Sequence, residues 1–530
     1  MFALHLARMN KQQEAGQSEK MREVAVDDQK VLLVRIQGQY SAVGSRCSHY
    51  SAPLIKGALV GDRVRCPFHG ACFNVRTGDI EEYPGLDSIP SYKVNHTTFV
   101  ANCLLLFKNI YIKKVKIVIY YLLQFNYFRI RKRFIGIVSE QTIHKLGTCF
   151  GPASLVCAET LRQNCYPGHI VIVTKDSLPP IDKPKLSKAM NLESSSILLR
   201  SGDFYQQYAI EMWMGKEVVS VHPPDKVVKM SDGTSKRYDQ LLIATGSRPL
   251  SCPGSDLKGV HLLQSYDDAK EIHSSSVGQR AVVIGASFIG MEVASYLSDK
   301  ATSVALVGSA SYPFEKSLGP EIGKMTMAML EEKNVKFFMN DRVTEIRGEN
   351  GKVKNVVLSS GAVLEADVVI AGIGHFVHLD VFSTLFFQYM RTNIPDIFSA
   401  GDVASFPLSI RGDQQVNIGH WQMSHSHGKV AALNMLKKPT KIESVPFFWS
   451  ALAGKSIRYT GYGEGYTEIL VKGKVEERKF LAFYIKDEEV VAAASLMFDP
   501  AVAQVAELMA EGKNITKKQA QSDDLSWLQM

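Results

Sequence analysis

Residues 280–308 read RAVVIGASFIGMEVASYLSDKATSVALVG: an apolar run, a glycine turn, an amphipathic stretch of helical period and a second apolar run. That order predicts strand, turn, helix and parallel strand, the crossover unit of an α/β sheet. The same alternation of strand-like and helix-like segments runs from residue 147 onward. The first hundred residues differ. Runs such as VLLVRIQ (31–37), broken by Gly, Asp and Pro, predict short antiparallel strands in a small β domain. Near the end, FLAFYIKDEEVVAAASLMF (480–498) alternates again, and PAVAQVAELMAEGK then turns helical, which predicts a sheet-and-helix cap. A chain of 530 residues is too long for one core, so several domains are expected.

Composition narrows the class. With 45% hydrophobic and 22% charged residues the chain reads as globular. The net charge of +8 comes from 61 basic residues scattered among 53 acids, with no basic helix interleaved with aromatics, so nucleic acid is not an expected partner. Eight cysteines in 530 residues are too few for a disulfide scaffold, which favours a reducing compartment. The N-terminal MFALHLARMNKQQEAGQ has no long apolar core with a cleavage site, and secretion is not expected.

Four residues carry the clearest chemistry. RCSHYSAPLIKGALVGDRVRCPFHGAC (46–72) holds Cys47-x-His49 and Cys66-x-x-His69, one cysteine and one histidine per loop. Zinc fingers usually pair Cys with Cys and His with His. A Rieske 2Fe-2S cluster needs two thiolates on one iron and two imidazoles on the other, so each loop must touch both metals. The stretch therefore resembles a Rieske motif, with Pro67, Gly70 and the Gly57 to Gly61 turn shaping the loops. Respiratory-type Rieske proteins add a cysteine in each loop; those positions here read Ala52 and Phe68, so the resemblance implies the ferredoxin-like subtype. Cys72 lies outside the motif and is read as packing.

Ser88 to Ser139 contains no acidic residue and mixes aromatics, isoleucines and lysines. Its apolar run Ile117–Phe128 covers twelve residues, against roughly twenty for a membrane-spanning helix. Three readings remain: a linker, an anomalous insert, or a basic aromatic segment touching a membrane surface.

In the unit 280–308, Gly285 and Gly290 take the first and third fingerprint positions and Ser287 the second. The first position makes the turn, the second lets backbone approach a pyrophosphate, and the third lets helix pack on strand. The acid that would hold a ribose 2′-OH is absent, because the next strand ends Val307-Gly308-Ser309. NADH and NADPH therefore both remain open. Upstream, GTCFGPASLVCAETLRQNCYPGHIVIVTKD (147–176) has the length of a second unit, but its fingerprint positions read Cys149, Gly151 and Ser154. Alone, it is equally a helix without a ligand. YDQLLIATGSRPL (238–250), with Thr245 and Gly246, and TNIPDIFSAGDVASF (392–406), with Asp402, favour a ligand: each ends a strand in a glycine that permits close contact.

The order of degenerate fingerprint, ATG, second fingerprint and AGD, behind a Rieske module, resembles the Rieske-bearing apoptosis-inducing-factor-like flavoproteins. IDKPKLSK (181–188), HWQMSHSHGKVAALNML (420–436), PFFW (446–449) and GYGEGY (461–466) add to the likeness, which covers about residues 21–100 and 151–530. The resemblance implies a multidomain fold: an all-β Rieske domain, an α/β flavoprotein reductase with two dinucleotide-binding domains, and a C-terminal α+β domain. The expected boundaries are 21–100 for the Rieske domain, 101–146 for the linker or insert, 147–265 with 366–440 for FAD, 266–365 for NAD(P), and 441–530 for the C-terminal domain.

By the same resemblance, FAD is expected on Gly151, Lys183, Lys188, Thr245, Gly246, Asp402, Phe448 and Trp449. NAD(P)H is expected on Gly285, Ser287, Gly290 and Glu292. Lys175 departs from the family pattern, standing where an acid for the FAD ribose belongs, and the segment GIGHFVHLDVFSTLFFQYMRTNIP is shortened.

The implied function is NAD(P)H oxidation through flavin to the chain's own cluster, with an unidentified final acceptor, in the cytoplasm or, by family resemblance, in mitochondria. No residue is expected to act catalytically beyond the cofactors. The rival reading is a non-catalytic redox-sensing or apoptosis-related protein with impaired FAD binding. Internal disulfide chemistry is disfavoured, since no cysteine occurs between residues 175 and 251. Asn417-x-x-His420-x-x-x-x-His425 imitates the iron triad of Rieske oxygenases, but those enzymes also need a carboxylate ligand.

Overall fold

The computed structural model describes residues 21–26, 29–96, 115–117, 144–148, 151–249, 254–376 and 389–529. Cys103, Cys149, Cys252 and most of the acid-free stretch lie outside the described residues, as does most of the shortened segment before the AGD motif. The chain divides into two compact units: Met1–Arg129 with Phe498–Ile515 and Ser522–Met530, and Ile130–Met497 with Thr516–Gln521. The segment expected to be one C-terminal domain, 441–530, is thus shared between the two.

The first unit is built mainly from two four-stranded antiparallel sheets, beside a small pairing of Val94–His96 with Val115–Ile117. Strands β1 (Met21–Val26), β2 (Gln29–Ile36) and β3 (Gln39–Gly44) join β8 (Ser91–Tyr92) in one. Strands β4 (Ala58–Val60), β5 (Arg63–Arg65), β6 (Cys72–Asn74) and β7 (Ile80–Glu82) form the other. Side chains alternate across a strand, and β2 shows why its run is apolar throughout. Leu32 and Val34 pack with Val43, Leu54, Val64 and Phe73, while Val31 and Leu33 pack with Val24 and Ala42 on the other face. The C-terminal helix Ala501–Ala510 packs on β4 and β5 of this unit.

The second unit holds two five-stranded parallel sheets, one five-stranded antiparallel sheet and four smaller antiparallel sheets of two or three strands among the described residues. The first has the order β11-β10-β9-β12-β18, from β9 (His144–Thr148), β10 (His169–Val173), β11 (Ile210–Trp213), β12 (Gln240–Ile243) and β18 (Ile397–Ser399). The second has the order β13-β17-β14-β15-β16, from β13 (Val260–Leu262), β14 (Arg280–Ile284), β15 (Ser303–Val307), β16 (Val335–Phe338) and β17 (Val368–Ala371). Two expected boundaries shift. Val368–Ala371 pairs with Ala281–Ile284 and with Val260–Leu262, so both flanking strands belong to the second sheet and the chain returns to the first only afterwards. Likewise β9 starts at His144, inside the stretch read as linker.

The antiparallel sheet runs β19-β20-β23-β22-β21, from β19 (Phe447–Leu452), β20 (Lys455–Gly461), β21 (Glu468–Lys474), β22 (Lys479–Lys486) and β23 (Glu489–Leu496).

Three helices position the chemistry of this unit: α1 (Pro152–Gln163), α2 (Phe288–Leu297) and α3 (Trp421–Met435). Helix α1 begins with proline at its first turn, where a missing N–H costs nothing. It lies against α3 so closely that a Cβ on Gly428 would overlap the carbonyl oxygen of Ala153. Alanine normally improves a helix interior by about 1 kcal/mol over glycine. Here the clash outweighs that gain, and Gly428→Ala should lose about 1–3 kcal/mol of stability in urea unfolding; unchanged or raised stability would show that the helices separate freely.

Candidate redox centres

The two Cys/His loops have the same backbone frame. In the first, Cys47 N–H donates to the Ala52 carbonyl at 2.9 Å and Ser51 N–H donates to the Cys47 carbonyl at 3.0 Å. In the second, Cys66 N–H donates to Ala71 at 2.8 Å and Gly70 N–H to Cys66 at 3.2 Å. Each loop turns on a residue with positive φ, Ser51 at 56° and Gly70 at 79°, four places after its cysteine. Histidine stands two places after cysteine in one loop and three after it in the other.

This frame pairs like with like. Cys47 and Cys66 are both buried and hydrogen-bonded to one another; that bond first, and burial second, push the Cys47 thiol up. The Nδ1 atoms of His49 and His69 face each other at 3.2 Å. Two nitrogens bound to one tetrahedral metal would lie about 3.4 Å apart, so the imidazoles fit a shared iron and the thiols another. Among the described residues no three His, Cys, Asp or Glu side chains gather about a single metal position. Tyr50 stacks on His49 at 3.9 Å and meets His69 edge-on at 5.1 Å. A third loop supports the first, with Ser48 Oγ donating to the Asp87 carbonyl at 2.6 Å.

In the second parallel sheet, the fingerprint loop joins β14 to α2. Gly285 has φ of 107° and sits against Gly372, and a Cβ on Gly290 would overlap the Gly285 carbonyl oxygen. Both glycines are therefore required by close approach. Ser287 is the exposed N-cap of α2 with no side-chain capping bond, at the helix end whose free N–H groups and dipole suit a phosphate.

Glu292, just inside α2, has partners on both carboxylate oxygens. Its buried carboxylate takes Lys188 Nζ at 2.7 Å and the Ser187 hydroxyl on Oε2, and the Ser450 hydroxyl at 2.7 Å on Oε1. Those partners come from the segment after β10 and from β19 of the C-terminal sheet.

Three of the residues expected around FAD lie just beyond the C-terminal ends of β12 and β18, which are neighbours with Ile243 opposite Ser399. Thr245 and Gly246 follow β12; Asp402 follows β18, its carboxylate 3.4 Å from the hydroxyls of Ser247 and Ser424. Gly151 caps the N-terminus of α1. Ser154, at the third fingerprint position, turns its hydroxyl back onto the Gly151 carbonyl at 2.9 Å. Lys183 opens a short 3-10 turn, Lys183–Lys185, in the segment that carries Lys188.

Phe448 meets His420 at 4.7 Å, Phe288 at 4.8 Å and Tyr459 at 4.9 Å. Trp449 is next to it on β19 and points to the opposite face, so the two do not line one surface. A crevice at the ends of parallel strands, lined by glycines, an aspartate and a helix N-terminus, fits an extended dinucleotide.

The family models match in the same order as these parts. The Rieske 2Fe-2S domain model matches residues 7–93, the pyridine nucleotide-disulphide oxidoreductase model residues 150–428, and the reductase C-terminal model residues 447–527. Apoptosis-inducing factor 3 of Homo sapiens is 41% identical over 539 residues, covering 96% of this chain and 86% of that protein. The chain belongs to the apoptosis-inducing factor 3 family.

The family's reductase portion has wider relatives. Rubredoxin-NAD(+) reductase of Pseudomonas putida is 29% identical over 65% of this chain and 94% of its own. The solved putidaredoxin reductase–putidaredoxin complex matches with a TM-score of 0.69 and 25% identity, over 72% of this chain and 96% of that one. The chain is accordingly an oxidoreductase of the pyridine-nucleotide type joined to a Rieske domain.

In this apoptosis-inducing factor 3 relative the false iron triad is spent on structure. Asn417 donates to the carbonyls of Asp402 and Ala404, each at 2.8 Å, and His425 Nδ1 lies 2.8 Å from the Trp421 carbonyl one turn back. Sequence reasoning missed Ser187, Ser450 and His427, whose Nδ1 accepts from Gly401 N–H at 3.2 Å. Short polar residues in apolar runs were the only signal.

Burial pushes His420 and His427 down to about 4. Both pKa values fall on folding, so the unfolded chain binds more protons between pH 6.5 and 4; stability is complete above that window and drains as pH falls through it. Each group should cost about 2 kcal/mol between pH 7 and pH 5. Denaturant midpoints at the two pH values check this, and His427→Asn should flatten the dependence.

Proposed function

We propose that this chain oxidises NAD(P)H and delivers the electrons through FAD to its own 2Fe-2S cluster, held by Cys47 and Cys66 on one iron and His49 and His69 on the other. The observation that carries the reading is the paired arrangement of those four residues in a chain that also has two parallel dinucleotide sheets. Bound flavin supplies the conversion between a two-electron hydride donor and a one-electron acceptor. The chain's own residues bind and orient.

Gly285 and Gly290 open a backbone cradle at the N-terminus of α2, and the Ser287 hydroxyl stands free to meet a phosphate oxygen. Gly151 presents the α1 N-terminus to the other dinucleotide, and Asp402 accepts from its ribityl hydroxyls. Lys188, held by Glu292, places a fixed positive charge beside the redox site, and Phe448 with Phe288 keeps water from it. Relatives named for rubredoxin or ferredoxin pass electrons to a separate partner; here the Rieske domain supplies an acceptor within the chain. The final acceptor lies beyond it. Loss of two fingerprint glycines in the first unit favours one rival, a redox sensor without flavin turnover, and a flavin absorbance spectrum separates the two.

Anaerobic addition of NADH or NADPH to the purified protein should bleach flavin and then cluster absorbance, with a reduced-Rieske electron paramagnetic resonance signal appearing. Cys66→Ser should abolish that signal and leave flavin reduction intact. Flavin that reduces while the wild-type cluster stays oxidised would overturn the route.

A further inference from the structure

The second cluster loop rests on a buried guanidinium. Arg65, immediately before Cys66, is fully buried and donates through Nη1 to the carbonyl oxygen of Gly70 at 3.0 Å. Gly70 follows His69, so this one hydrogen bond closes the loop from before its cysteine to beyond its histidine. A guanidinium tolerates such burial only when its charge is balanced. Two carboxylates balance it: Glu82 accepts from Nη2 at 2.9 Å, and Glu507 accepts from Nε.

Glu507 is itself fully buried and comes from the helix Ala501–Ala510, more than four hundred residues along the chain. A second cation joins from β5. Arg63 reaches Glu82 at 3.1 Å and Glu507 at 3.6 Å, and its Nε donates to Cys72 Sγ at 3.4 Å. The Cys72 thiol in turn donates to Glu507 at 3.6 Å, and burial pushes its pKa up, so it stays a neutral donor.

We propose that Glu507 is a positioning residue for the Rieske centre. Through Arg65 it fixes the His69–Gly70 turn, and its charge is part of the field behind the cluster. The C-terminal helix then serves the cluster-bearing unit rather than only capping the reductase. The proposal rests on the reading that Cys47, His49, Cys66 and His69 hold a 2Fe-2S cluster. The potential of such a cluster follows the net charge and hydrogen bonding around it. Removing one nearby negative charge favours the reduced, more negative state.

The test uses full-length protein carrying Glu507→Gln, Glu507→Asp or Glu82→Gln, with iron and sulfide content, the electron paramagnetic resonance spectrum of the reduced cluster and a potentiometric titration. Glu507→Gln should raise the potential and shift the g values, and Glu507→Asp should return both toward wild type. A Gln variant that melts earlier but keeps the wild-type potential and spectrum would reduce Glu507 to a packing residue and overturn the proposal. Should that variant take up no cluster, Glu82→Gln decides: a raised potential supports the proposal and an unchanged one overturns it. Wild-type protein without a Rieske spectrum would instead overturn the cluster reading, and the proposal with it.

Discussion

Burying a carboxylate is costly unless it is paired and hydrogen-bonded, and in the reductase unit one buried carboxylate has partners on both oxygens. Glu292 receives Ser187 and Lys188 from the segment that follows the first sheet's second strand, and Ser450 from the C-terminal sheet, while standing on the nucleotide helix α2. Three segments distant in sequence thus meet at one side chain. The same contacts that hold Lys188 also fix where Phe448 lies, since Phe448 and Ser450 are two residues apart on one face of β19. Architecture and the surroundings of the redox site are set by the same bonds.

The cluster-bearing unit solves a similar problem with the charges exchanged. Its two loops repeat one backbone frame, from cysteine N–H to the alanine carbonyl five places on, so their geometry needs little from outside. What the loops lack is a brace. Arg65 supplies it for the second loop, and the carboxylates that make its burial tolerable come from β7 and from the far end of the chain.

How much of this was legible followed from how local each constraint was. Cys47, His49, Cys66 and His69 could be read because metal coordination demands particular atoms at particular spacings, and Gly285 and Gly290 because no side chain fits there. Long-range pairing left no such mark. Glu507 sits in AVAQVAELMA as an ordinary helix-forming residue, and its role depends on a helix folding onto strands hundreds of residues earlier. Glu292 was placed on the right helix, but its partners Ser187, Lys188 and Ser450 were not foreseen, because sequence spacing does not say which groups saturate a carboxylate. Trp449 was grouped with Phe448 by family resemblance, but neighbours on a strand point to opposite faces. Val368–Ala371 was assigned to the wrong sheet because an apolar run carries no label for the strand it will pair with.

The nucleotide side shows a residue lost without disorder around it. A side chain at Gly308 would bring its Cβ to 2.8 Å from the Ala286 Cβ and 2.9 Å from the Met339 Cε, so the strand end is packed closed where an acid would hold a ribose. The neighbouring chain runs alongside, with Gly308 N–H donating to Phe338 at 3.0 Å and Asp341 N–H to Gly308 at 3.1 Å. Asp341 cannot substitute, because its carboxylate is taken by the hydroxyls of Ser359 and Ser360, which hold it well below the usual carboxylate range. For a dinucleotide seated on α2, binding then rests on backbone N–H groups and the helix dipole at the pyrophosphate. Those contacts are the same whether the ribose carries a 2′-hydroxyl or a 2′-phosphate.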